Sequence, residues 1–350
     1  MTTAGSPEIP RIPALDESAR RLARERIDGL VKPLGALGRV EDLAAWLCAA
    51  HGAVPPRPLD DVRVVVFAGD HGVSASAAVS AYPREITAAM VRVFLSGTSG
   101  VSVLARQVGA HVRVLDIAVD GGLDDVPAEV RAFKVRRGSE PIDTADALAS
   151  GEAERGFAAG RAVADEEIDA GADLLIPGDM GIGNTTIASA LVAATLGVPV
   201  PEVVGAGTGV DDDGRARKVA VIEAALARAG ERVRDPFGLL TALGSACAAA
   251  TAGFLVQAAV RGVPVLLDGV FSGAAALVAR EIAPEAAQWW LAGHRSTEPS
   301  QAFALKALGL EPILDLGLRL GEGSGAVQAV PVLRGARAVL AEMGRLADLA

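Results

Sequence analysis

The stretch Leu320-Gly321-Glu322-Gly323-Ser324-Gly325-Ala326 sets one carboxylate between glycines, just ahead of a predicted helix. Flanking glycines let the backbone pass close to a ligand while Glu322 projects into a pocket. A carboxylate held near apolar walls keeps its proton to higher pH and is suited to general-base work. A surface turn with an incidental glutamate has the same local spelling. A second cluster, Gly178-Asp179-Met180-Gly181-Ile182-Gly183-Asn184-Thr185-Thr186, follows a predicted strand and opens a predicted helix. Its glycines turn the chain tightly and point backbone N–H groups inward. Thr185 and Thr186 add hydroxyls, and the helix N-terminus behind them carries partial positive charge, which together suit a phosphate monoester. The plainer alternative is a strand-to-helix turn capped by Asn184 or Thr185. It is not a Walker loop, which needs a Gly-Lys-Ser/Thr ending.

Other clusters are weaker singly. Gly205-Ala206-Gly207-Thr208-Gly209 is a glycine-rich turn after a predicted strand, followed by Asp211, Asp212 and Asp213 as caps of a helix that carries Lys218. Lys218 could reach a phosphate; taken alone it reads as a solvated helix-surface lysine. Asp70-His71 ends a strand, and a lone histidine there is more often structural than catalytic. Gly293-His294-Arg295-Ser296-Thr297-Glu298 follows a predicted strand, with Ser296 or Thr297 as the expected N-cap. Asp268-Gly269 ends another.

The elements that must position these residues come from the apolar pattern. Short, nearly all-apolar runs recur at Arg63–Ala68, Val112–Val119, Asp173–Ile176, Glu202–Val204, Val263–Leu267, Trp289–Ala292 and Pro312–Leu314. Continuous apolar strands belong to a sheet covered on both faces. Alanine-rich helical segments such as Ala153–Ala170, Ala216–Ala229 and Gly273–Arg280 lie between them, and this alternation predicts a parallel α/β sheet. Ligands of such sheets bind outside the carboxyl ends of the strands, so the special clusters are expected to converge on one crevice. Leu15–Leu30 shows helical spacing with Asp16 as N-cap, Val54–Asp60 reads as a loop, and Leu239–Val260 reads as a buried helix rather than a membrane span. Residues 1–60 and 323–350 have no strand partners and are expected to form a small helical lobe around an α/β domain at 61–322.

Of the 350 residues, 51% are hydrophobic, enough for a large core. A net charge of −10 argues against a nucleic-acid or anionic-membrane surface, and 3% aromatics leave little for a base-stacking platform. Cys48 and Cys247 sit in apolar stretches and read as buried small hydrophobes of a reducing compartment. The histidines and cysteines show no metal-ligand spacing. Met1–Pro10 lacks a basic and an apolar region of leader type, so a cytoplasmic location is expected.

In order along the chain, Lys32-Pro33-Leu34-Gly35-Ala36-Leu37-Gly38-Arg39, Ala68-Gly69-Asp70-His71-Gly72-Val73, Gly181-Ile182-Gly183-Asn184-Thr185-Thr186, Leu266-Leu267-Asp268-Gly269, Gly293-His294-Arg295-Ser296 and Gly321-Glu322-Gly323-Ser324-Gly325 resemble the nicotinate-nucleotide–dimethylbenzimidazole phosphoribosyltransferase family, from about residue 15 to the C-terminus. The resemblance implies a Rossmann-like parallel sheet flanked by helices, a small lobe from both chain ends, and a homodimer. It implies transfer of ribose 5-phosphate from nicotinate mononucleotide to 5,6-dimethylbenzimidazole in cobalamin lower-ligand assembly, with no cofactor, metal, nucleic acid or membrane. Glu322 matches the family's general base. Gly181 to Thr186, Gly207 and Lys218 match positions around the nucleotide phosphate, Ser296 a position near the nicotinate, and Asp268 a crevice motif. The base pocket is expected from Ser80, Tyr82, Ala89, Met90 and Met180.

The chain also departs from the family pattern. Asp179 stands where the family usually has glutamate near the ribose, Ala36 where serine is common, and Ala89 where a polar residue is expected. Another acceptor on the same fold, adenine or a phenolic base, is the nearest alternative, and a non-catalytic nucleotide sensor is another. A dinucleotide redox enzyme would need a Gly-x-Gly-x-x-Gly after the first strand, which is missing.

Overall fold

The computed structural model describes residues 7–349. Met1–Ser6, part of the segment read as having no leader, and Ala350 lie outside the described residues.

Six strands form one parallel sheet: β1 (Val62–Gly69), β2 (His111–Ala118), β3 (Leu174–Met180), β4 (Val265–Leu267), β5 (Trp290–Ser296) and β6 (Pro312–Leu318), in the spatial order β2-β1-β3-β4-β5-β6. From β1 the chain moves outward to β2 and then returns to place β3 on the other side of β1. That reversal opens a crevice at the carboxyl ends of β1 and β3, where this class of sheet binds ligands.

Both faces are covered, as continuous apolar strands require. Along β1, Val65 and Phe67 face one core while Val62, Val64, Val66 and Ala68 face the other. The first core is closed by helices Glu152–Asp169, Asn184–Leu196, Ala246–Val260 and Val270–Ile282. Two of these helices approach to backbone contact: a Cβ at Gly160 would strike the Ala250 carbonyl, and one at Gly253 the Phe157 carbonyl. The second core is closed by helices Arg39–His51, Ile86–Leu95, Gly100–Val108 and Ser324–Glu342. The N-terminal helices therefore share one continuous core with the sheet, through Ala23, Ile27, Leu43 and Leu47. An isolated antiparallel bridge, Leu30 to Arg345, joins the two chain ends. Asp16 caps the helix Glu17–Asp28 by accepting from the Ser18 and Ala19 amides.

Three expectations need correction. Glu202–Val204 is not a strand: Val200–Val203 is one short helical turn, with the Val204 amide donating to the Val200 carbonyl at 3.2 Å. Pro201 lacks the N–H that a central strand must donate. The turn Gly205–Gly209 accordingly follows a helix. Leu239–Val260 is not one helix but two, Pro236–Leu243 and Ala246–Val260, because Ser245 turns the chain and caps the second through the Ala248 amide. Strand β5 runs on to Ser296, so the Gly293–Ser296 cluster lies on the strand, and Glu298 rather than Ser296 or Thr297 precedes the helix Pro299–Leu308. Cys48 and Cys247 are buried free thiols, as expected.

Candidate active site

The carboxyl ends of β1, β3, β4, β5 and the segment after β6 bring the sequence clusters to one crevice. Glu322 is 5% exposed and adopts φ 66°, between Gly321 at 81° and Gly323 at 93°. Three successive residues in the left-handed region make a tight loop that only glycine neighbours permit readily. Behind it β3 comes so close that a Cβ at Gly178 would overlap the Glu322 carbonyl. Glu322 Oε2 accepts from the Val101 amide at 3.2 Å. Burial pushes the Glu322 carboxyl above its ordinary pKa; the Val101 bond opposes this and the Asp268 charge adds to it.

Asp179, near the end of β3, is partly open to the crevice. Burial nevertheless raises its pKa to about 7; the Asn184 amide, donating to Oδ2 at 2.5 Å, opposes this, and the charges of Asp268 and Glu322 add to it. Asp268 is 2% exposed, and its oxygens accept from the Gly323 amide at 3.0 Å and the Ala326 amide at 2.9 Å. Asp179, Glu322 and Asp268 thus form one acidic wall, suited to a cationic substrate.

The glycine loop opens the helix Asn184–Leu196 with Gly183 at φ 95°; the Asn184 and Thr186 amides donate to the Gly181 and Gly183 carbonyls at 3.1 and 3.0 Å and the Thr185 amide to Asn184 Oδ1 at 2.8 Å, while the positive end of the helix dipole still points into the loop. Thr186 is fully buried and its hydroxyl has no hydrogen-bond partner among the described residues. Lys218 lies at 0% exposure on the helix Asp212–Ala229, not on a solvated surface, and its Nζ donates to Thr185 Oγ1 at 2.9 Å and to the Gly205 carbonyl at 3.3 Å. Burial lowers its pKa, and Glu298 partly restores it. Gly207 abuts both Thr185 Oγ1 and Lys218 Nζ. Ile182 is buried, its amide donating to Thr87 Oγ1 at 3.2 Å, and Gly181 lies against the Gly69 carbonyl and the His71 ring. His71 itself is 2% exposed, burial lowering its pKa to about 4, so it serves as a neutral wall.

Ser296 is buried; its amide donates to Gln301 Oε1 at 2.5 Å and its hydroxyl accepts from the Glu298 amide at 3.3 Å. Among the base-pocket candidates, Ser80 Oγ lies 3.2 Å from Thr208 Oγ1, tying that segment to the Gly205–Gly209 turn. Met90 and Met180 are partly buried against the same apolar core. Tyr82 at 56% exposure and the exposed Ala89 are not enclosed. Lys32-to-Arg39 is structural: Lys32 Nζ pairs with Glu41 at 2.9 Å, and the Arg39 guanidinium donates to the Glu311 and Pro312 carbonyls at the start of β6.

Gln301 and Arg319 carry no sequence signal, and Glu298, though part of a sequence cluster, has no role assigned there. Gln301 donates to the Asp268 carbonyl at 2.9 Å and the His294 carbonyl at 3.0 Å, stitching the ends of β4 and β5. Glu298 Oε1 accepts from the Gly207 amide at 2.7 Å, and Arg319 donates to the Gly207 carbonyl at 3.0 Å. Each acts through a contact between distant segments, which local spacing does not reveal.

An anion cradle facing an acidic wall is the arrangement of an enzyme that handles a sugar phosphate, and a family model described as phosphoribosyltransferase matches residues 12–349. A nicotinate-nucleotide–dimethylbenzimidazole phosphoribosyltransferase from Mycobacterium avium (strain 104) is 55% identical over 97% of this chain and 97% of its own length. One from Mycobacterium marinum is 53% identical over 96% of this chain and 93% of its own. A crystal structure bearing the same enzyme name, from Thermus thermophilus, is 42% identical with a TM-score of 0.90, covering 96% of this chain and 98% of that one. The chain belongs to the nicotinate-nucleotide–dimethylbenzimidazole phosphoribosyltransferase family.

Proposed function

We propose that this chain transfers ribose 5-phosphate from nicotinate mononucleotide to 5,6-dimethylbenzimidazole, giving α-ribazole 5′-phosphate and nicotinate in cobalamin lower-ligand assembly. The observation that carries this is the pairing of a buried carboxylate, Glu322, whose proton affinity is raised, with a cradle closed by the buried Lys218.

Nicotinate mononucleotide carries a pyridinium on C1 of ribose. When that C–N bond breaks, its electron pair neutralises the ring nitrogen, so the leaving group needs no general acid. The Gly181–Thr186 loop, with its threonine hydroxyls and helix N-terminus, holds the phosphate together with Lys218 and the Gly207 turn. Asp179 stabilises the developing oxocarbenium electrostatically. The imine-type ring nitrogen of the acceptor attacks C1 from the opposite face, forming the new C–N bond as the proton on the acceptor's other ring nitrogen passes to Glu322. Inversion gives the α-riboside. Ser296 borders the nicotinate side, Asp268 stands in the wall of the same crevice, and Ser80, Met90 and Met180, with Tyr82 and Ala89 at the rim, border the acceptor. The active species is proposed to be a cytoplasmic homodimer; Leu316 on the edge strand β6 and Leu320 just beyond its end, exposed at 61% and 56%, give an apolar surface for the second copy.

The test incubates the protein with nicotinate mononucleotide and a panel of acceptors, 5,6-dimethylbenzimidazole, adenine and a phenol, and follows nicotinate and riboside phosphate by chromatography. The dimethylbenzimidazole riboside is the expected main product. Nucleotide binding with no nicotinate released for any acceptor would overturn the transferase assignment in favour of a sensor.

A further inference from the structure

The family motifs leave Asp268 without a task. It leaves the carboxyl end of β4, and its carboxylate reaches the start of the helix Ser324–Glu342. There Oδ2 accepts from the Gly323 amide at 3.0 Å and Oδ1 from the Ala326 amide at 2.9 Å. Gly323, the N-cap position, has no side chain to supply those acceptors. Asp268 therefore caps this helix from another strand. The residue immediately before the cap is Glu322, whose φ of 66° is disfavoured for a side chain of its kind.

Asp268 is itself held. Gln301 donates to its carbonyl at 2.9 Å. His294, 1% exposed, places Nε2 at 3.3 Å from Oδ1. The His294 ring occupies the space that a Cβ at Gly325 would need. The glycines of the 321–325 motif thus admit both the left-handed loop and the histidine ring that lies beside Asp268.

We propose that Asp268 is a positioning residue for Glu322: through the Gly323 and Ala326 amides it holds the strained loop that presents the Glu322 carboxyl, and it keeps a second negative charge beside it. This rests on Glu322 being the base. The ionisable groups that reach Glu322 are Asp268 after β4 and Asp179 on β3, while His294 on β5 faces Asp268 and the helix Gly100–Val108 contributes the Val101 amide.

The experiment compares the full chain with Asp268→Asn by steady-state kinetics across pH, with calorimetric titration of nicotinate mononucleotide. Asparagine removes the charge and turns one acceptor into a donor facing a backbone N–H. The expected result is a fall in kcat of about 10–100-fold from a misplaced base, with KM and Kd for the nucleotide within about twofold. The acid limb of the kcat profile moves to lower pH because a like charge is gone. A purely structural cap would lower the melting temperature and leave that limb in place. Wild-type kcat with an unmoved limb overturns the proposal, as does a raised KM with unchanged kcat, which would make Asp268 a nucleotide contact. Asp268→Ser, which keeps one cap acceptor, gives the same readouts if the asparagine variant does not fold. Glu322→Gln runs alongside. Full activity there sinks the base assignment itself, whereas an inactive Glu322→Gln beside an unaffected Asp268→Asn sinks only the positioning role.

Discussion

The Val101 amide donates to Glu322 Oε2 across 3.2 Å, joining the first turn of the helix Gly100–Val108 to the loop ahead of Ser324–Glu342. The bond favours the carboxylate, yet burial outweighs it and the Asp268 charge adds to the rise. A general base works ionised, so kcat/KM should climb with pH along a limb above the usual glutamate range. A pH–rate profile checks this; a limb at or below the value of free glutamate would contradict it.

Asp179 makes a stability prediction with a definite sign. Its pKa is 3.8 as a free side chain and about 7 in the fold. The folded state therefore holds the proton more tightly, and the stabilisation is complete below the unfolded value. It is lost as pH rises through about 7, by an amount on the order of 1–4 kcal/mol. Asp179→Asn removes this dependence. Thermal melts at pH 5 and pH 8 should differ less in the variant than in the wild type; an identical difference in both would contradict the burial of the charge.

Lys218 should hold the phosphate. A hydrogen bond to a charged group contributes roughly 1.5–3 kcal/mol, so Lys218→Met is expected to weaken nicotinate mononucleotide by about 10–100-fold. Calorimetric titration reads this directly, with circular dichroism to confirm folding. Unchanged affinity would remove Lys218 from the cradle.

The sheet was legible because β1 and β3 are continuous apolar runs, and burial on both faces dictates that spelling. Glu202–Val204 has a similar spelling, but Pro201 denies it a ladder, and this local veto was visible in the sequence. Lys218 looked like a surface lysine because helix periodicity says nothing about the turn Gly205–Gly209 folding over it. The role of Asp268, and Gln301 altogether, were opaque for a related reason. Their partners, Gly323 and Ala326 in one case and the carbonyls of Asp268 and His294 in the other, become neighbours only once β4 and β5 align. The glycine-flanked loop at Glu322 and the strand-to-helix turn at Gly181–Thr186 were readable because their geometry is local.

The most direct test of the account is Glu322→Gln, assayed for α-ribazole 5′-phosphate and titrated with nicotinate mononucleotide in parallel. Glutamine keeps the shape and cannot take the proton. A general base contributes roughly 10²–10⁴-fold, so turnover should fall by about that factor while nucleotide affinity stays close to wild type. Turnover at the wild-type rate would remove Glu322 from the chemistry and with it the mechanism built on this crevice.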